Sequence, residues 1–116
     1  MKRALVPLAA LSGAIAVIAG AFGAHGVANV KAAEWLRTGG EYEMVHALAA
    51  IVAVQLRANI AAFLLLAGSA LFAATLYMMA LGWPHWLGAV TPIGGLGMIL
   101  GWLLLAWQAA PAGGKR

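Results

Sequence analysis

Residues 58–114 read ANIAAFLLLAGSALFAATLYMMALGWPHWLGAVTPIGGLGMILGWLLLAWQAAPAGG, and these 57 residues include no Asp, Glu, Lys or Arg. The surface of a water-soluble domain requires charged side chains, so this stretch is not typical of a soluble protein. As one helix it would extend about 85 Å at ~1.5 Å per residue. The hydrocarbon core of a bilayer is only ~30 Å thick. We therefore expect the stretch to cross the membrane, turn at Gly82-Trp83-Pro84 and cross back.

The rest of the composition agrees with an integral membrane protein. Of the 116 residues, 65% are hydrophobic, and the length corresponds to a single domain, residues 1–116. The net charge of +4 does not indicate nucleic-acid binding, because the basic residues are few and do not form a clustered face. The absence of cysteine excludes disulfides, thiolate metal sites and thiol nucleophiles.

Four apolar stretches predict an all-α integral membrane bundle of four transmembrane helices. Their approximate limits are residues 5–24, 41–56, 60–81 and 91–109. The first is longer than the apolar region of a cleavable signal peptide, so we expect it to be retained rather than cleaved. The second is the least apolar. If this second stretch enters the membrane without crossing it, the number of spans is three and the two termini lie on opposite faces of the membrane.

The segment Asn29–Glu43, between the first two spans, holds half of the charged residues. Within it, Val30–Leu36 predicts a short helix lying along the membrane interface. Thr38-Gly39-Gly40-Glu41 is typical of a helix stop followed by a restart, with Thr38 and Glu41 forming a capping box for the second span. At the start of the fourth span, Thr91-Pro92 predicts a hydroxyl N-cap followed by proline at the first helical position.

The distribution of Lys and Arg predicts the orientation in the bacterial cytoplasmic (inner) membrane. With four spans, one side carries Lys2, Arg3, Arg57, Lys115 and Arg116, and the other carries Lys31 and Arg37. Because positive charge is enriched on the cytoplasmic side, we expect both termini to be cytoplasmic.

Small residues recur at positions that favour close helix packing. They are Ser12, Ala16, Gly20 and Ala24 in the first span, and Gly94, Gly97 and Gly101 in the fourth. Packing within one monomer and a face for self-association into a homo-oligomer both explain these patterns. The glycines that begin the fourth span also leave room for a lipid chain or a small ligand.

Ionisable side chains near the membrane are the candidates for chemistry. His25 ends the first span, while Tyr42, Glu43 and His46 begin the predicted second span, so we expect these residues to approach the same outer interface. Three explanations remain open: a structural hydrogen-bond cluster, a metal or haem site through His25 and His46, and a proton or small-molecule pathway. The third is disfavoured at this stage, because Glu41 and Glu43 are expected near the membrane edge rather than at mid-membrane. Ser12 and Ser69 lack an evident nearby base, so no hydrolase is predicted.

Four motifs together resemble a known family. They are Gly-Ala-Phe-Gly-Ala-His-Gly at residues 20–26, Thr38-Gly39 followed by Tyr42 and His46, Leu71-Phe72 with Thr75-Leu76-Tyr77, and Thr91-Pro92-Ile93-Gly94-Gly95 followed by Gly101-Trp102. In this order and spacing the chain resembles, over nearly its whole length, the YgdD-like small inner-membrane proteins. These form the domain-of-unknown-function family numbered 423, with a distant animal counterpart called transmembrane protein 256. The resemblance implies a bacterial inner-membrane protein with four spans, and it implies no reaction.

The sequence therefore predicts a non-catalytic membrane protein that acts as a packing or interaction module and contacts lipids or partner proteins. One alternative is a small transport or proton-coupled module with a polar outer mouth at Tyr42, Glu43 and His46. The other is the metal or haem binder described above. We expect no enzyme activity, no cofactor and no nucleic-acid partner.

Overall fold

The computed structural model describes residues 2–111 as a bundle of four long α-helices. These are α1 (Lys2–Ala21), α2 (Val30–Gln55), α3 (Asn59–Ala80) and α4 (Thr91–Ala109). A π-helical turn, Phe22–Gly26, continues α1, and a 3-10 turn, His85–Ala89, precedes α4. Consecutive helices pack against each other, and α1 also contacts α3. The predicted all-α architecture is confirmed.

Three helical segments are long and apolar enough to cross a membrane: Arg3–Gly26, Asn59–Ala80 and His85–Ala109. Helix α2 is not among them, because its middle carries polar residues. Its 26 residues nevertheless extend about 39 Å, more than the ~30 Å hydrocarbon core. It also packs against both α1 and α3. That α2 crosses the membrane as the fourth span stays a prediction, based on this length and position.

Helix α2 differs from the sequence-based prediction at its start. The expected interfacial helix Val30–Leu36 and the expected break at Thr38-Gly39-Gly40-Glu41 are wrong, because α2 runs without interruption from Val30 to Gln55. Its N-cap is Asn29, whose side chain accepts a hydrogen bond from the Ala32 amide at 2.9 Å. The capping box at Thr38 therefore does not form.

The two glycines inside α2 are explained by close packing rather than by a helix break. A Cβ atom at Gly39 would lie 2.6 Å from the Tyr77 ring, and one at Gly40 would lie 3.0 Å from the Ala16 carbonyl oxygen. Both distances leave no room for a side chain, so glycine at these positions lets α2 approach α3 and α1 closely.

Helices α3 and α4 approach each other through glycine on both sides. A Cβ atom at Gly68 would lie 2.7 Å from the Met98 backbone nitrogen, and one at Gly94 would lie 2.5 Å from that of Phe72. A Cβ atom at Gly101 would lie 2.8 Å from the Leu65 side chain. Gly94 and Gly101 of α4 therefore pack closely against α3 within the monomer.

The small residues of α1 mostly face α2. Ser12 and Ala16 are buried, and the Gly20 backbone lies beside Gly40, whereas Ala24 is exposed. Within the monomer, this stripe is covered by α2 along most of its length.

The predicted N-cap role of Thr91 is wrong, because Thr91 is the first residue of α4 and its side chain caps no amide. Its hydroxyl instead shares a 2.7 Å hydrogen bond with the Thr75 hydroxyl of α3 and lies 3.2 Å from the Leu87 carbonyl oxygen. Hydrogen bonds of Ser and Thr side chains across helices are common in membrane bundles.

The neighbouring glycines Gly94 and Gly95 provide a matched test of the α3–α4 contact. Gly94→Ala places a methyl group against the α3 backbone, and we expect it to destabilise the bundle by roughly 1–3 kcal/mol. A Cβ atom at Gly95 meets nothing within 4 Å, so Gly95→Ala should be neutral or slightly stabilising, since Ala favours a helix over Gly. Thermal unfolding in detergent, followed by circular dichroism, measures both variants. Equal stability of the Gly94→Ala and Gly95→Ala proteins would contradict a close contact between Gly94 and the α3 backbone.

Candidate functional site

Glu43 is a buried carboxylic acid near the middle of α2. It is the fourteenth of the 26 residues of α2, and its exposed fraction is 4%. Its hydrogen-bond partner Ser12 is the tenth of the 24 residues in the helical segment Arg3–Gly26. Both residues therefore lie close to the middle of their helices, whereas the other partner of Glu43, Tyr77, is the nineteenth of the 22 residues of α3.

Two hydroxyl groups hold the Glu43 carboxyl group. Ser12 of α1 donates to Oε2 at 2.6 Å, and Tyr77 of α3 donates to Oε1 at 2.6 Å. The three residues belong to three different helices, so the carboxyl group joins α1, α2 and α3 at one level. Hydrogen bonds to a carboxylate are about twice as strong as those between neutral groups.

This geometry corrects the expected position of Glu43 in the first turn of its helix. The error follows from the predicted start of the second span at Glu41. Because α2 actually begins at Val30, Glu43 lies nearly four helical turns into it. A carboxyl group buried inside the bundle is compatible with a proton or small-molecule pathway, which the expected position near the membrane edge disfavoured.

His46 lies one turn beyond Glu43 and is buried, with hydrogen bonds at both ring nitrogens. Nδ1 lies 2.7 Å from the Tyr42 carbonyl oxygen, and Nε2 lies 2.9 Å from Nε1 of Trp102 in α4. A carbonyl oxygen only accepts and an indole N–H only donates. The neutral tautomer with the proton on Nδ1 therefore satisfies both bonds, and His46 links α2 to α4.

Tyr42 lies on the more exposed side of α2. Its ring centroid is 4.9 Å from that of Phe72 and 6.0 Å from that of His46. With Gly95 and Trp102 these side chains line a groove of about 350 Å³ between α2 and α4. The room that the α4 glycines were expected to leave for a ligand is thus found beside Gly95.

His25 is separated from the other candidate residues. It is exposed in the π-helical turn, where Gly23 packs against Ala33 and Arg37 of α2. His46 lies nine residues beyond Arg37, about 14 Å further along the helix axis. The expected common position of His25 and His46 at the outer interface is therefore not what the structure shows.

The metal or haem alternative is not supported by this arrangement. Within residues 2–111, no group of three or more His, Cys, Asp or Glu side chains is placed to hold a metal ion. For His46 to bind a metal through Nε2, it would have to give up the hydrogen bond from Trp102.

An apolar cleft between α1 and α3 leads to the Glu43 carboxyl group. Its volume is about 470 Å³, and Ser12 and Glu43 are the polar residues in its lining. The α1 wall runs from Ala4 to Ile15, about 17 Å along the helix at ~1.5 Å per residue. Leu8, Leu11, Ile15 and Phe63 in its lining are largely exposed on the bundle surface. The cleft therefore opens sideways, toward the hydrocarbon of a surrounding bilayer.

Sequence reasoning missed three partners of this site. Ser12 was assigned to helix packing and was thought to lack a base, yet it contacts a carboxyl group at 2.6 Å. Tyr77 and Trp102 stand out in the sequence only as members of the family motifs, with no role assigned to either. The signal that marks all three is a polar hydrogen-bonding group within an otherwise apolar span, which needs a partner because lipid offers none.

Comparison with known proteins gives consistent matches over most of the chain. The profile of the family described as "Protein of unknown function (DUF423)" matches residues 19–95. A UPF0382 membrane protein of Haemophilus influenzae is 39% identical, covering 92% of this chain and 94% of the relative. The UPF0382 inner membrane protein YgdD of Escherichia coli K12 is 38% identical, covering 90% and 87%. A Staphylococcus epidermidis UPF0382 membrane protein is 36% identical, covering 89% and 92%. No solved structure matches this chain.

Two tyrosines test the hydrogen bond to Glu43. Tyr77→Phe removes a donor from a buried carboxyl oxygen, and we expect a loss of about 1–3 kcal/mol in the free energy of unfolding. The Tyr42 ring is 46% exposed, so Tyr42→Phe is the matched control, with an expected change within about 0.5 kcal/mol. Unfolding in detergent measures both. A Tyr77→Phe protein as stable as the Tyr42→Phe protein would show that this bond does not stabilise the bundle.

Proposed function

The chain belongs to the DUF423 family of UPF0382 membrane proteins, whose description assigns no function, and we propose that it is a non-catalytic module that binds membrane lipid. In this proposal, a hydrocarbon chain from the surrounding bilayer lies in the α1–α3 cleft. The observation that carries it is the cleft itself, which is apolar, open to the side and about 470 Å³ in volume. Ligand sites in proteins commonly measure ~300–1,000 Å³ and are mostly apolar.

The composition of the cleft supports binding rather than catalysis. The contact between Ser12 and Glu43 pairs a hydroxyl with a potential base. Hydrolysis would also require water and donors for a developing oxyanion. The cleft lining supplies no further polar side chain, and Ser12 lies inside α1, where backbone amides are already bonded within the helix. An interaction with lipid needs only the apolar walls.

The proposed location is the inner membrane, as the name of the Escherichia coli relative states for that protein, with both termini cytoplasmic. The orientation is supported by Lys2, Arg3 and Arg57 on one side and by Lys31 and Arg37 on the other. Lys115 and Arg116, which contribute to the same bias, lie outside the described residues.

Lipids are the proposed main partners. The small-residue stripes of α1 and α4 are largely used inside the monomer, and the large apolar side chains that remain exposed suit contact with hydrocarbon. A homo-oligomer or another membrane protein would have to pack on those same exposed faces. No nucleic-acid partner is proposed, because the basic residues are dispersed.

A spin-labelled phospholipid tests the lipid proposal. The full chain is reconstituted in vesicles of phosphatidylethanolamine and phosphatidylglycerol that contain a lipid labelled deep in its acyl chain. Ala67 lines the cleft on α3, so Ala67→Phe should fill it and reduce the motionally restricted fraction of the electron paramagnetic resonance spectrum. The control Ala106→Phe changes an exposed α4 residue and should leave that fraction unchanged. An identical restricted fraction in both variants and the wild type would refute the proposal.

A second candidate, a small transport or proton-coupled module, is favoured by the position of Glu43. A buried carboxyl group at mid-bundle is the feature that such a module requires. We expect reconstituted vesicles to show a proton flux that falls at least about tenfold with Glu43→Gln, while Glu41→Gln, at an exposed position, leaves it unchanged. The flux is measured with a pH-sensitive dye trapped inside the vesicles. A flux that Glu43→Gln and His46→Ala do not alter would remove this candidate.

A further inference from the structure

The Glu43 carboxyl group has hydrogen-bond donors but no counter-ion. Its two bonds come from neutral hydroxyl groups, and among the described side chains no basic group forms an ion pair with it. Among the side chains that the structure describes, residues 3–111, the ion pair is Lys31–Glu34, at 4.0 Å on the exposed surface. A buried carboxylate without an opposite charge is costly, by several kcal/mol even after relaxation of the protein.

The carboxyl group also retains capacity to accept further hydrogen bonds. A carboxylate has about four lone-pair sites, and Ser12 and Tyr77 occupy two of them. Glu43 is part of the cleft lining, where the remaining surface is almost wholly apolar. A molecule in the cleft therefore meets one strong acceptor at the inner end and hydrocarbon walls elsewhere.

We propose that the α1–α3 cleft is a site for lipophilic ammonium compounds, with Glu43 as the counter-ion of the ligand nitrogen. The apolar part of such a compound would lie between Leu8 and Leu66, and its N–H groups would donate to the free acceptor sites of Glu43. Charge complementarity selects this class, because a positive nitrogen supplies the counter-ion that the described part of the chain lacks, whereas an alcohol supplies only a hydrogen bond. This inference rests on the proposed function, since it names the ligand class of the same cleft.

Dodecylammonium and 1-dodecanol carry the same hydrocarbon group, and only the first is charged. A comparison of their affinities therefore isolates the contribution of the charge. Each is titrated calorimetrically into the full chain in lipid nanodiscs, with protein-free nanodiscs subtracted. In the wild type we expect dodecylammonium to bind at least about tenfold more tightly than dodecanol. Glu43→Gln should reduce the ammonium affinity to that of the alcohol and leave the alcohol affinity unchanged. Glu41→Gln, which removes an exposed carboxylate two residues away, should keep the wild-type preference.

The outcomes distinguish this inference from the proposed function. Equal affinities in the wild type, with both lost in Ala67→Phe, would overturn the ammonium preference and leave the lipid-binding cleft intact. A preference that persists in Glu43→Gln would also overturn it, since another group would then recognise the charge. If neither compound binds to the wild type, the proposed function fails as well. Circular dichroism and the elution volume in detergent establish that each variant is folded.

Discussion

A buried carboxyl group with hydrogen bonds to two other helices links three of the four helices at one level. Glu43 is buried, with an exposed fraction of 4%, and unsatisfied polar groups in a membrane interior are costly. Its two donors must therefore lie at its own level, one on α1 and one on α3. Once these bonds form, neither helix can slide along α2 by even one turn without leaving an oxygen unpaired.

Close backbone packing and the polar site are parts of the same arrangement. Gly40, one turn before Glu43, brings α1 near enough for the short Ser12 side chain to reach the carboxyl group. Gly39 accommodates the Tyr77 ring, whose hydroxyl then reaches the other oxygen. In lipid, where burial of apolar surface gives little net attraction between helices, such contacts and hydrogen bonds supply the stability. A larger residue at either glycine would therefore disturb the site as well as the packing.

The sequence predicts the approximate limits of α1, α3 and α4, because apolar length is a local property, but it places the start of the second span at residue 41 rather than at Val30. It does not predict that α2 continues through Gly39-Gly40, because glycine has two opposite meanings: it ends helices in isolation and permits close approach inside a bundle. Because the expected break is absent, Glu43 lies near the middle of α2 rather than at the start of a helix. The partners Ser12 and Tyr77 are also non-local, at separations of 31 and 34 residues. Local patterns carry no information on which of several polar groups in apolar spans will meet.

The dependence of α2 on its neighbours has a consequence for how the chain enters the membrane during synthesis. Helix α2 carries Glu43 and His46 in its interior, and alone it would expose both to hydrocarbon. Ser12 precedes Glu43 in the chain, whereas Tyr77 follows Glu43 by 34 residues and Trp102 follows His46 by 56 residues. Only one of these three donors is thus present when α2 leaves the ribosome. This order of synthesis favours insertion of α1 and α2 as a hairpin, with α3 and α4 then supplying the remaining donors to Glu43 and His46.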